Sequence, residues 1–483
     1  MSFFALSVLV YGGLTAWLTS RLDGTSAEWG YTFGHLAIAA ALNAHLLYTA
    51  RLRQLALLSP PVVFLLVCQL YFSVNGLKYF SPILLYPQFD LGLTAQFLGS
   101  VAGAAVLFVC ALLLRMQRGP TSSQVFGWIA RYWPDLRRLL LIAVIGSLVC
   151  KVALFRLGYG SPYIGGMYSE NAIRSYEDFF LLLGNDAFGV MSLFLGSLYL
   201  MHRRTGGSAR PLTAMLAALG VLLQLAYTLL FLQARMVLLV MAMTMALAAE
   251  VRSRRTAENF LRALFLILPP LSLIGLQLTL LLGRVNVPEE TGMRLAIGAI
   301  NRRTDLTDFA TAIIVSSGGE AHDAGIITSA ALNAVPRVIF PGKHEFVEDV
   351  YSEILNDQLG WPAYEEGSVL ADYQDSAFSA GVMSFGVIGF ALIPLGFVWF
   401  WYQVSRWVER WFKGIAYGFA LLAASLIAMR VEVEWSAIPL NFRQGMSMAV
   451  IFIVAAWFAR ELRRFVAIAA RPPAGATGGE VPA

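Results

Sequence analysis

Residues 92–114 read GLTAQFLGSVAGAAVLFVCALLL, followed at once by Arg115 and shortly afterwards by Arg118. The stretch carries no charged side chain. As an α-helix rising about 1.5 Å per residue it reaches about 35 Å, enough to cross about 30 Å of hydrocarbon. A run this long and this apolar needs lipid as its solvent, and its backbone hydrogen bonds must then close within the segment.

The rest of the chain repeats the pattern. Of the 483 residues, 58% are hydrophobic and 13% are charged, against about 25% charged in an ordinary soluble domain. The mean hydropathy is +0.66. Too few polar residues remain to cover a soluble core of this size. Apolar runs place spans at roughly 2–20, 31–50, 55–74, 92–114, 138–155, 179–201, 211–231, 234–251, 261–283, 377–403, 414–431 and 445–462. The division at 234 is the weakest, because it follows its predecessor after two or three residues. The expected fold is an all-α polytopic membrane protein with about 12 transmembrane helices. The first segment has no basic n-region and no small-residue cleavage site, so it reads as a span and not as a cleaved signal.

Basic residues orient these spans. Arg51 and Arg53 follow the second, and Arg115, Arg118, Arg131, Arg137 and Arg138 lie between the fourth and fifth. Arg203, Arg204 and Arg210 follow the sixth, and Arg252, Arg254, Arg255 and Arg262 follow the eighth. Arg406, Arg410 and Lys413 follow the tenth, and Arg460, Arg463, Arg464 and Arg471 the twelfth. The positive-inside rule then puts both termini in the cytoplasm. The net charge of +5 reflects these loops and does not call for a nucleic-acid partner. Cys68, Cys110 and Cys150 lie in apolar runs and read as small core residues.

This arrangement divides the chain into a membrane domain at 1–283, an outward loop at 284–376, a second membrane segment at 377–463, and a Pro-, Gly- and Ala-rich tail at 464–483 expected to be disordered. The loop is too long for a passive connection. Leu306, Phe309, Ile313 and Ile314 recur at helical spacing, which predicts one amphipathic helix over 304–315.

Charges placed outward, against the topological bias, are the candidates for chemistry. Arg235 sits at the outer start of the eighth span, beside a helix N-terminus, where guanidinium and free N–H groups together favour a phosphate or pyrophosphate. The plainer reading is an arginine that anchors the helix end. Arg302 and Arg303 in the loop, and Arg430 and Arg443 beside the last outer connection, could add donors; for any one of them the plainer reading is a solvated arginine or one paired with Glu289, Glu290, Glu432 or Glu434. Among the loop carboxylates, Asp375, Asp372 and Glu353 are the leading choices for a general base acting on a hydroxyl. Asp372 and Asp375, three apart, share a face if the tenth helix extends outward. Tyr373 is among the loop aromatics that could stack on a sugar ring. There is no Asp-x-Asp, no Walker loop, no glycine-rich dinucleotide turn and no Cys/His metal spacing, so no metal or cofactor is expected.

Three stretches carry a resemblance. They are LLFLQARMVLLVMAMTMAL at 229–247, ALNAVPRVIFPGKHEF at 331–346 and GSVLADYQDSAFSAGVMSFGVIGFALIPLGF at 367–397. They are similar to a span opening with a small residue and Arg, an outer Pro-Arg…Pro-x-Lys segment, and a Phe-Gly-x-x-Gly lead into the next span, as in Wzy-type O-antigen polymerases. The resemblance covers roughly residues 220–400. It implies a GT-C-like fold with a large periplasmic loop between helices 9 and 10, in the bacterial inner membrane. It also implies a metal-independent glycosyltransferase that joins polyprenyl-pyrophosphate-linked oligosaccharide repeat units, with a chain-length regulator and a flippase as possible partners. Arg235 is then the first residue to carry over as a pyrophosphate ligand, and Arg337 and Lys343 match the second motif as substrate-binding residues. The sister ligases carry a His-Asn pair where this chain has Asp375-Ser-Ala-Phe378; that departure points to a polymerase. A transporter or flippase is the alternative of another class, and it would depend on charges buried between helices at mid-membrane.

Overall fold

A computed structural model describes residues 3–80, 91–116, 120–157, 176–203, 211–231, 242–243, 245–246, 249–250, 253–282, 293–294, 297–298, 304–321, 376–429 and 438–469. The helices are α1 (Phe3–Arg21), α2 (Ser26–Leu52), α3 (Pro60–Asn75), α4 (Leu93–Met116), α5 (Ser122–Arg156), α6 (Tyr176–Arg203), α7 (Pro211–Phe231), α8 (Arg254–Leu282), α9 (Asp308–Ser317), α10 (Ala377–Trp411), α11 (Ile415–Ala428) and α12 (Ile438–Ala469). No β-strand occurs among the described residues, only an isolated bridge between Leu55 and Thr121. The chain is therefore all-α where described.

Among the described residues six helices are long and apolar enough to cross a membrane: Phe3–Arg21, Pro60–Phe80, Leu93–Met116, Ser122–Arg156, Phe180–Leu200 and Ala377–Trp411. Their surfaces agree. On α5, Leu141, Ile145, Leu148, Val152 and Phe155 all lie exposed, spaced three or four apart, so an apolar stripe faces outward where a soluble helix would present charge. Helices also stand at the other predicted spans, except that most of 234–251 falls outside the described residues.

Local sequence explains the helix ends. Thr25 and Glu28 form a capping box on α2: the Glu28 N–H donates to Thr25 Oγ1 at 3.2 Å, and the Thr25 N–H to Glu28 Oε2 at 2.6 Å. Pro60 and Pro61 open α3, where a missing N–H costs nothing. The fifth helix begins at Ser122 and not near 138; Arg131, Arg137 and Arg138 belong to the helix, and Pro134 lies within it. At 35 residues it reaches about 52 Å, longer than the hydrocarbon is thick.

The chain forms two compact units. The first comprises residues 1–124, 249–411 and 421–445, the second 125–248, 412–420 and 446–483. In the first unit α3 is central. All 16 of its residues are buried, among α2, α4, α8 and α10. Beside it Tyr11, Leu18, Leu22, Leu36, Leu77 and Phe80 form an apolar cluster, and Tyr11 donates from its hydroxyl to the Phe265 carbonyl at 2.8 Å.

In the second unit, α5, α6 and α7 meet at small residues: a Cβ on Gly196 would lie 2.8 Å from the Ala217 carbonyl oxygen, and Gly146 receives the Phe188 ring. Lys151 pins the three helices, donating to Ser147 Oγ at 2.8 Å and to Asn185 Oδ1 and Gln224 Oε1 at 2.9 Å each, with its ammonium 4.4 Å from the centre of the Tyr227 ring.

Candidate functional site

Helix α10 is two helices joined at a sharp break. Phe385 (φ −133°, ψ 15°) and Gly386 (φ 61°, ψ −152°) leave helical geometry. Gly386 occupies a backbone region open in practice only to glycine, and a Cβ there would also lie 2.5 Å from the Gly319 carbonyl oxygen. Gly381 in the first half meets the backbone of Gly389 in the second, and Ile393 beyond it. Contacts eight and twelve residues apart mean that residues 377–384 fold back along the start of 387–411. The single tenth span of the sequence reading is thus a short buried half-helix followed by a long one.

Helix α9 lies beside that short half. It comes from the stretch read as an outward loop with an amphipathic helix, yet residues 304–313 are buried on every side. The reason is close packing. Gly99 and Gly103 on α4 present no side chain, so Thr311 and Thr307 of α9 sit directly on the α4 backbone. As α9 advances from 307 to 311, its contacts on α4 retreat from 103 to 99, so the two helices run antiparallel. Gly103 lies about 15 Å along α4 from Leu93 at 1.5 Å per residue. The N-terminus of α9 is therefore deep in the helix bundle. So is that of the short half of α10, since Ser376 Oγ donates to the Leu306 carbonyl at 2.6 Å. At their far ends the two meet again, where the Val387 N–H donates to the Gly319 carbonyl at 3.2 Å.

Charges collect at the deep ends. The Asp305 carboxylate accepts from the backbone N–H groups of Thr307 (2.9 Å), Asp308 (2.7 Å) and Phe309 (3.0 Å), and so caps α9. Asp308, the first residue of that helix, forms a buried ion pair with Lys78, from the single 3-10 turn Lys78–Phe80 after α3. Lys78 also donates to Ser100 Oγ at 2.8 Å. A polar chain continues from there: Tyr79 hydroxyl to Ser100 Oγ at 3.4 Å, Tyr79 hydroxyl to His35 Nδ1 at 3.3 Å, and His35 Nε2 to the Phe72 carbonyl at 2.8 Å. Since a carbonyl only accepts, Nε2 carries a proton. The Tyr79 hydroxyl proton then chooses between neutral His35 and Ser100. On the Ser376 side, the hydroxyl accepts from the N–H groups of Phe378 and Ser379, while Ser379 Oγ accepts from the Ser376 N–H.

Electrostatics explain why two buried carboxylates are tolerated beside one lysine. Each helix N-terminus carries about half a positive charge. The α9 N-terminus and the Lys78 ammonium both lie against Asp305 and Asp308. Lys78, Asp305 and Asp308 are 2–3% exposed, so the group is shielded from solvent. It ties the turn after α3 to α4 and α9, and ionisable groups at such depth are costly, rare and mark functional sites by default.

None of the residues singled out from the sequence is among those described in this group. Asp375, Asp372, Glu353, Tyr373, Arg337, Lys343, Arg235, Arg302, Arg303 and Arg430 lie outside the described residues, as does the side chain of Arg443, whose backbone is in α12. The sequence reading passed over Lys78, Asp305 and Asp308. The available signals were a lysine at the end of an otherwise uncharged span, in Asn75-Gly-Leu-Lys78, and two aspartates three apart before an apolar run. Among the described residues no group of His, Cys, Asp and Glu is arranged to hold a metal. No family model, no characterised protein and no solved structure matches the chain.

Proposed function

We propose that this chain is a membrane-embedded glycosyltransferase that polymerises polyprenyl-pyrophosphate-linked oligosaccharide repeat units. In this reading it has about twelve spans with both termini in the cytoplasm of a bacterial cell, and a GT-C-like arrangement whose large loop faces the periplasm. Arg235, with Arg302, Arg303, Arg430 and Arg443, holds the pyrophosphate of the donor. Asp375, Asp372 or Glu353 takes the proton from the acceptor hydroxyl as the glycosidic bond forms and the lipid pyrophosphate leaves. Arg337, Lys343 and Tyr373 bind the glycan.

The observation that carries the reading is the glycine-built break at Ser384-Phe-Gly-Val-Ile-Gly389. It falls in one of the three stretches that resemble the polymerases, and Gly381, Gly386 and Gly389 are each demanded by geometry there. A loop whose α9 is fastened deep between helices suits a roof over a lipid-borne substrate. A deletion strain complemented with wild type or Arg235→Ala tests this through its surface-glycan ladder. Single repeat units attached without a ladder support a polymerase that uses Arg235.

A second reading is a polysaccharide transporter or flippase. The buried Lys78, Asp305 and Asp308 group favours it, because half-helices that begin deep in a bundle and meet there with charges suit a substrate pathway. Loss of all transferred glycan in the deletion strain would support this reading, or an O-antigen ligase-like transferase, over the first.

A further inference from the structure

The central helix α3 carries a glutamine where lipid and solvent have no access. Gln69 is 1% exposed, and among the described residues neither its amide oxygen nor its amide nitrogen has a hydrogen-bond partner. Ser73, one turn on along the same face, accepts from Asn43 Nδ2 of α2 at 3.0 Å and donates to the Gln69 backbone carbonyl at 2.7 Å. Asn43 is fully buried, and its amide oxygen has no partner either. Two amides on the facing sides of α2 and α3 thus leave a donor group and two acceptors unmet. The buried Thr32 and Thr49 hydroxyls on α2 are also without partners.

Buried amides left unsatisfied weigh heavily against folding, and native interiors meet them with protein groups or bound water. We propose that the seam between α2 and α3 is a hydration site, in which water molecules bridge the Gln69 side chain and Asn43 Oδ1. Water fits because it donates and accepts at once, as this set requires. A divalent metal ion would lack a counter-charge, because none of the partners named here is charged. A lipid headgroup cannot reach residues with 1% exposure or less. The His35–Phe72 hydrogen bond lies one turn of α3 from Gln69.

X-ray hydroxyl-radical footprinting of the full chain in lipid nanodiscs tests this, because radicals form from bound water and mark the side chains beside it. Cys68, Tyr71 and Phe72 flank Gln69 and are themselves buried. The expected result is rapid modification of these residues in the wild type. Modification should fall sharply in Gln69→Met, with exposed residues such as Trp411 modified unchanged. Asn43→Leu serves as an independent second variant if Gln69→Met does not fold. Absence of modification at these three residues in the wild type would overturn the proposal, as would modification indifferent to both substitutions. A higher melting temperature for Gln69→Met together with an unmodified wild type would mean that the amide is dry.

Discussion

Replacing Lys78 by methionine removes the cation and keeps the volume of the side chain. It leaves Asp308 facing Asp305 beside the α9 N-terminus without the ammonium between them. Both members of the original pair are out of water, with side chains 2% and 3% exposed, so solvent cannot screen the loss. Breaking a buried pair by deleting one partner costs about 3–5 kcal/mol, and Lys78→Met is placed at the upper end because two carboxylates are left behind. Asp308→Asn is placed lower, at about 2–3 kcal/mol, because Lys78 keeps Ser100 at 2.8 Å and still feels the Asp305 charge. The double variant removes both members, so its loss falls short of the sum by about 2 kcal/mol or more, as for residues in direct contact. Reversible unfolding of the purified protein in mixed micelles, run as a double-mutant cycle, measures this. A coupling within about 0.5 kcal/mol of zero, the limit of ordinary additivity, would refute the reasoning, as would Lys78→Met being no worse than Asp308→Asn.

Other substitutions probe the remaining contacts. Gly386→Ala forces a Cβ into a left-handed conformation and against the Gly319 carbonyl; it should destabilise by at least about 1–3 kcal/mol, read from the unfolding midpoint, while Gly396→Ala, with open space around it, should be near neutral. Gly99→Leu pushes Thr311 and hence α9 off α4, and a cysteine introduced at Thr311 should then label in that background and not in the parent. Glu250→Gln keeps one acceptor oxygen, enough for the Leu57 N–H, but puts an NH2 group where the second oxygen accepts from Ser122 Oγ and loses the ion pair with Arg254; a loss of about 1.5–3 kcal/mol is expected from a charge-assisted bond, checked by thermal unfolding. Lys151→Met should cost less than Lys78→Met, because the partners of Lys151 named above are uncharged; parallel melts of the two variants decide.

Much of the fold is legible from hydropathy alone. GLTAQFLGSVAGAAVLFVCALLL specifies a long apolar helix whatever surrounds it, because lipid and the backbone's hydrogen-bonding demand act on each segment separately. Local punctuation is equally direct: Thr25 with Glu28 starts α2, and Gly318 in the left-handed conformation ends α9. The break in α10 is half legible. Three glycines in Gly381–Gly389 announce a close approach, but they do not say what approaches. The period-3.6 pattern at 304–315 predicts a helix, and one stands at Asp308–Ser317 with its first turns buried all round, since apolar spacing reports one buried face and is silent about a second. Lys78 and Asp308 are 230 residues apart, and no pattern in either neighbourhood names the other. Their pairing exists because α9 can settle on the two bare glycine faces of α4, a depth and register set by packing between distant segments. The sequence by itself determined that the chain would be a bundle of apolar helices. Only tertiary structure decided which charges the bundle would hold inside, because burying a charge depends on a partner that folding alone brings within reach.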